Sequence, residues 1–208
     1  MKSSTNFDPV IVVGPGRSGT TVVSRLLHEQ LGISMGTRFR SDPQGKCYYE
    51  DLDFRDLNRH FMDGTLNFNE WLKTTEHNIF VRFAADQPWG FKDPRASYIM
   101  GMYFLFFRDP LFIRCRRHHG DVAKSMNENY GWSLEKAHSV AAERDLALDR
   151  FLYGKRVEEF YFDDWQDEEK LLPKLKEHLD AYYNGRCVPR KSQILQALGG
   201  DQSVDSRT

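Results

Sequence analysis

The segment that most constrains this chain is Gly14-Pro15-Gly16-Arg17-Ser18-Gly19-Thr20-Thr21. It follows a short run of β-branched residues, Pro9 to Gly14, that reads as a buried strand. It opens a pattern in which Val22, Val23, Leu26, Leu27 and Leu31 recur at helical spacing, predicting a helix from Thr20 to Leu31 that Gly32 stops. A glycine-rich turn between a strand and a helix gathers backbone N–H groups at the positive end of the helix, which makes an anion site. Glycines suit that site because a side chain would hold a phosphate away from the backbone.

The rest of the chain continues the alternation. Helical patterns cover Glu50 to Met62, Ala96 to Phe106, Asp121 to Asn129, Ser133 to Tyr153 and Glu168 to Tyr183, with Pro173 at a first-turn position or a kink. Strand patterns cover Ile79 to Phe83, Trp89 to Lys92, Leu111 to Arg116 and Val157 to Phe162. This order predicts a three-layer α/β fold of the P-loop NTPase-like kind, a mostly parallel sheet with helices on both faces. Ligands of such folds bind outside the carboxyl ends of the strands. Residues 1–198 read as one domain and 199–208 as a polar tail.

Composition narrows the function classes. The 29 Lys and Arg balance 30 Asp and Glu, which argues against a nucleic-acid binder or a membrane-surface protein. No apolar run is long enough for a signal core or a membrane span, so the chain reads as soluble and cytoplasmic. Three dispersed cysteines, Cys47, Cys115 and Cys187, exclude a disulfide framework and fit a reducing compartment.

The loop departs from the triphosphatase pattern G-x-x-x-x-G-K-[ST]. Gly14 and Gly19 are correctly spaced, but Thr20 stands where the lysine belongs and the cation is Arg17. Arg17-Ser18-Gly19-Thr20-Thr21 resembles instead the 5′-phosphosulfate loop of sulfotransferases that use 3′-phosphoadenosine 5′-phosphosulfate. Arg117 and Ser125, eight residues apart with Asp121 between them, resemble that family's 3′-phosphate motif, with His119 where proline is common. Lys92-Asp93-Pro94-Arg95, Gly45 to Asp51 and Phe160 to Trp165 resemble further family segments, in the family's order. The chain looks like a compact bacterial or phage-like member, at 208 residues shorter than most.

The resemblance implies sulfuryl transfer to an acceptor hydroxyl or amine, with adenosine 3′,5′-bisphosphate as product and no metal required. Gly16, Arg17, Ser18, Gly19, Thr20 and Thr21 would hold the 5′-phosphosulfate; Arg117 and Ser125 the 3′-phosphate; and Arg190, in a C-terminal basic stretch, could assist. Arg17 and Lys92 are the candidates for stabilising the leaving charge. Glu50, placed at a helix start, and then Asp93 are the candidate bases; His60, His118 and His119 match no family position. Two other readings remain open. One is a P-loop small-molecule kinase, with Phe160 to Asp164 as a hydrophobic strand followed by acids; the other is a nucleotide-binding protein of this fold without catalysis. Acceptor choice would lie in loops such as Ser34 to Lys46 and Asp63 to Asn78, and oligomeric state leaves no trace in the sequence.

Overall fold

A computed structural model describes residues 8–85, 87–162 and 167–183. Four of the described strands form a parallel sheet in the order β4-β1-β5-β6: β1 (Val10–Val13), β4 (Gly90–Lys92), β5 (Leu111–Arg116) and β6 (Val157–Tyr161). Helices α1 (Thr20–Glu29) and α7 (Glu168–Tyr182) cover one face. The other face carries α2 (Leu52–Met62), α3 (Phe68–Ala84), the short α4 (Met100–Tyr103) and α6 (Leu134–Leu152). Helix α5 (His119–Tyr130) packs on α6 through Val122, Ala123, Met126, Ala137 and Ala141. None of the described helices is long and apolar enough to cross a membrane.

Strand alternation builds both layers. Val10 and Val12 point to the α1/α7 side with Leu26, Leu27, Ile113 and Leu175, whereas Ile11 and Val13 face Phe54, Phe91 and Phe112. Because the sheet is parallel, β1, β4, β5 and β6 end at one edge. The β1–α1 loop, Lys92, Arg117 and Phe162 therefore emerge side by side.

The expected three-layer α/β arrangement is present, but several local expectations are corrected. Ile79 to Phe83 lies inside α3, not in a strand. Trp71, Thr75, Ile79 and Arg82 are buried at helical spacing while Phe80 and Val81 are exposed, and Asn67 and Glu70 form a capping box that starts the helix well before this stretch. Most of the Asp63 to Asn78 loop is consequently helical. The expected helix over Ala96 to Phe106 divides into a 3₁₀ turn (Pro94–Tyr98) and α4, where Gly101 packs so closely that a Cβ would lie 2.9 Å from Phe151. Pro173 sits inside α7, beyond its first turn.

Glu50 is the consequential correction. It does not open a helix: it belongs to β3 (Cys47–Asp51), which pairs antiparallel with β2 (Phe39–Ser41) in a separate hairpin. Asp51 caps α2 instead, its carboxylate accepting the Asp53 amide at 3.1 Å. The same buried carboxylate is paired with Arg82 at 2.6 Å, tying the hairpin to α3.

Candidate functional site

The β1–α1 loop has positive φ at three places, Gly14 at its start and two residues nearer the helix. Arg17 has φ 73° and Gly19 φ 98°, left-handed conformations that point successive amides the same way. Gly19 is obligatory on a second count, since a Cβ there would come within 2.6 Å of the Phe162 ring. Ser18 lies beneath the loop, its hydroxyl donating to the Pro15 carbonyl at 2.7 Å. The amides of Gly19, Thr20 and Thr21 are not taken by backbone carbonyls of the described residues. They remain available to an anion.

Above the loop is a cleft of about 660 Å³, within the ordinary range for small-molecule sites. Gly16, Arg17, Gly19, Thr20, Thr21, Glu50, Lys92 and Arg117, all singled out in the sequence, line it together. Ser125 reaches it through Arg17, whose Nε donates to the Ser125 hydroxyl at 2.9 Å. Arg117 donates from Nη1 to the Arg17 carbonyl at 3.3 Å and stacks 4.8 Å from the centre of the Phe162 ring. Its buried Nε has no hydrogen-bond partner among the described residues.

Lys92 is 2% exposed, an expensive place for an ammonium. Its Nζ donates to the Tyr48 carbonyl at 2.7 Å and to Thr21 Oγ1 at 3.1 Å, with Glu50 Oε1 at 3.6 Å. Burial pulls the Lys92 pKa down, against the opposing pull of Glu50 and Asp93, and the net direction is below the usual lysine value. Burial would by itself raise Glu50, but Lys92, Arg40 at 3.3 Å and Arg55 at 3.2 Å outweigh it, and Glu50 is held below its usual value. The pair is a carboxylate facing an ammonium.

Asp93 turns the other way. Its carboxylate accepts from the Arg95 amide at 3.1 Å, from Arg95 Nε at 3.2 Å and from Asn58 Nδ2 at 3.2 Å, beneath the cleft. Of the Arg114 to Arg117 run, Arg117 alone lines the cleft. Arg114 is buried against Asp145 and Asp149, and Arg116 pairs with Glu159. His60 bonds Thr65 and His119 bonds Asp145, and neither they nor His118 line the cleft. Arg190 and the Asp163-Asp164 pair lie outside the described residues.

Arg40, Lys46 and Tyr48 on the hairpin and Arg95 after β4 also line the cleft, each inside a segment the sequence marks without assigning it an individual role; Arg144 and Trp132, from the α5–α6 side, have no sequence assignment. Arg144 is the most notable, its buried Nε without a partner among the described residues and its guanidinium 5.6 Å from the Tyr98 ring centre. No local motif marks it, and its only sequence signal is adjacency to Asp145, the partner of buried Arg114.

A parallel α/β sheet carries a cleft lined mostly by cationic side chains at the carboxyl ends of its strands, an arrangement suited to an anionic ligand. Comparison with known proteins identifies the class. The sequence matches the sulfotransferase family over residues 9–173, and the chain belongs to that family. Its fold is similar to that of the sulfotransferase domain from the Synechococcus PCC 7002 olefin synthase, at 17% identity and a TM-score of 0.56, covering 97% of this chain and 81% of that one. No curated protein matches the chain.

Proposed function

We propose that this protein transfers a sulfuryl group from 3′-phosphoadenosine 5′-phosphosulfate to an acceptor hydroxyl or amine. The observation that carries the reading is Lys92, buried at the end of β4 and bonded to Thr21 of the phosphate loop, with Glu50 beside it. The residues present fit such a donor: the loop amides are not taken by backbone carbonyls of the described residues, and Arg117 and Arg144 add guanidinium groups to the lining of the same cleft. When bound, the donor supplies sulfur linked to a phosphate oxygen that can leave.

Each residue then has a task. The loop amides with Arg17 hold the 5′ end, and Arg117 with Ser125 holds the 3′-phosphate. The acceptor oxygen or nitrogen bonds to sulfur as the bond from sulfur to the phosphate oxygen breaks. Lys92 stabilises the negative charge arriving on that oxygen, and Glu50 accepts the acceptor's proton. Asp93 shapes the turn after β4 and so positions Lys92. The lowered Glu50 pKa keeps it ionised and ready, at some cost in basicity.

Calorimetric titration with adenosine 3′,5′-bisphosphate and with ATP, each with and without magnesium, tests the donor. Magnesium-independent binding of the bisphosphate is expected, and magnesium-dependent preference for ATP overturns the proposal. Arg117→Ala should weaken the bisphosphate while sparing 5′-AMP; equal losses would remove Arg117 from the 3′-phosphate site.

A further inference from the structure

We infer that the acceptor is an anionic hydroxy compound whose negative group is held by Arg40 and Lys46 of the β2–β3 hairpin. The inference rests on the sulfotransfer reading and narrows its acceptor.

Charge bookkeeping in the cleft leads there. Among the described residues, seven cationic side chains and one carboxylate, Glu50, line it. Two of the cations are answered within the protein: Lys92 faces Glu50 and Arg95 bonds Asp93. Three gather at the phosphate loop. Arg17 belongs to it, Arg117 donates to its backbone, and Arg144 Nη1 would lie 3.7 Å from a Cβ on Gly16. The phosphates of the donor answer those three.

Arg40 and Lys46 are left, on the β2–β3 hairpin that also carries Glu50. Both sit over Tyr48, with Arg40 Cζ 5.0 Å and Lys46 Nζ 6.0 Å from its ring centre. Lys46 makes no ion pair among the described residues, and Arg40 shares Glu50 with Lys92 and Arg55. Asp42, in the hairpin turn, accepts from the Gln44 and Lys46 amides and the Tyr48 hydroxyl; its charge attracts Lys46 without forming an ion pair, and it does not line the cleft. Two cations at one tyrosine favour the approach of an anion. An acceptor must approach this wall to place its hydroxyl at Glu50. A negative group on it is drawn in, and a protonated amine is turned away.

The test uses the full chain saturated with adenosine 3′,5′-bisphosphate, which occupies the phosphate sites. Three phenols of one skeleton, 4-hydroxyphenylacetate, 4-hydroxyphenylacetamide and tyramine, are titrated at constant ionic strength. The carboxylate should bind most tightly and tyramine most weakly, with about tenfold between the ends. Lys46→Gln, on an exposed turn, should shrink the carboxylate-to-amide ratio about three- to fivefold, the size of a partly exposed ion pair. Lys46→Glu should shrink it further. Equal affinities, tightest binding of tyramine, no binding of any of the three, or a ratio indifferent to both Lys46 variants overturns the inference. Failure of the bisphosphate itself to bind, seen in the first titration, overturns the donor reading and this inference with it. Retained bisphosphate binding without charge preference overturns the inference alone.

Discussion

Arg17 and Ser125 are 108 residues apart in sequence, yet Arg17 Nε donates to Ser125 Oγ at 2.9 Å. The cation of the β1–α1 loop is thereby oriented by α5, and the two segments proposed to bind phosphates form one hydrogen-bonded unit. Ser125→Ala removes the acceptor and frees the guanidinium. Bisphosphate affinity should fall about tenfold or more, the worth of one hydrogen bond to a charged group. Combined with Arg17→Ala the losses should be clearly sub-additive, since either change breaks the same contact. Additive losses in calorimetry would show that the two groups bind independently.

Arg144 presents a guanidinium to the same cleft from α6. Arg144→Ala should weaken bisphosphate binding by about tenfold or more, as loss of a charge-assisted contact does. Arg144→Lys should recover only part of it, because a point charge does not replace the planar fork. Full recovery with lysine would make the interaction purely coulombic.

The proposed reaction uses an anionic Glu50 beside a cationic Lys92. Glu50 is held below its usual pKa, so the acid limb of kcat/KM for the donor should lie below the ordinary glutamate value. Burial pulls Lys92 down, so the alkaline limb should lie below the ordinary lysine value. Glu50→Gln removes the anion that supports the Lys92 charge. It should therefore abolish most turnover and move the pH limit for donor binding further down. An unmoved limit would uncouple the pair.

Asn58 is fully buried on α2 and joins three groups. It accepts from Trp71 Nε1 at 3.2 Å and from the Tyr103 hydroxyl at 2.7 Å, and donates to Asp93 at 3.2 Å. Asn58→Ala strands these partners in an apolar layer, at a cost of about 2–4 kcal/mol. The urea midpoint should drop with an unchanged m-value. If stability is unchanged, the network is not structural.

The local patterns carried the middle of the fold well. β1, its glycine loop and α1 are short-range features, and so is the eight-residue spacing that sets Arg117 and Ser125 on one strand-to-helix turn. Part of α3 resembles a strand because four of the five residues from Ile79 to Phe83 are apolar, and an apolar run shows no period of its own. The neighbours of Glu50 continue a helical pattern, whereas pairing with β2, a long-range hydrogen-bonding choice, makes it the penultimate residue of a strand.

The sequence alone determined a parallel α/β chain with a phosphate loop and cations at strand ends, because loop conformation and amphipathic period are set by near neighbours. Tertiary structure decided which of those cations meet. Adjacent residues at the end of β4 diverge: Lys92 enters the cleft and Asp93 anchors the turn beneath it. Arg40, Lys46 and Arg144 join the loop from distant elements, as packing around the sheet edge dictates. The glycine loop offers its amides by local geometry alone, whereas the side chains that surround it are assembled only by the fold.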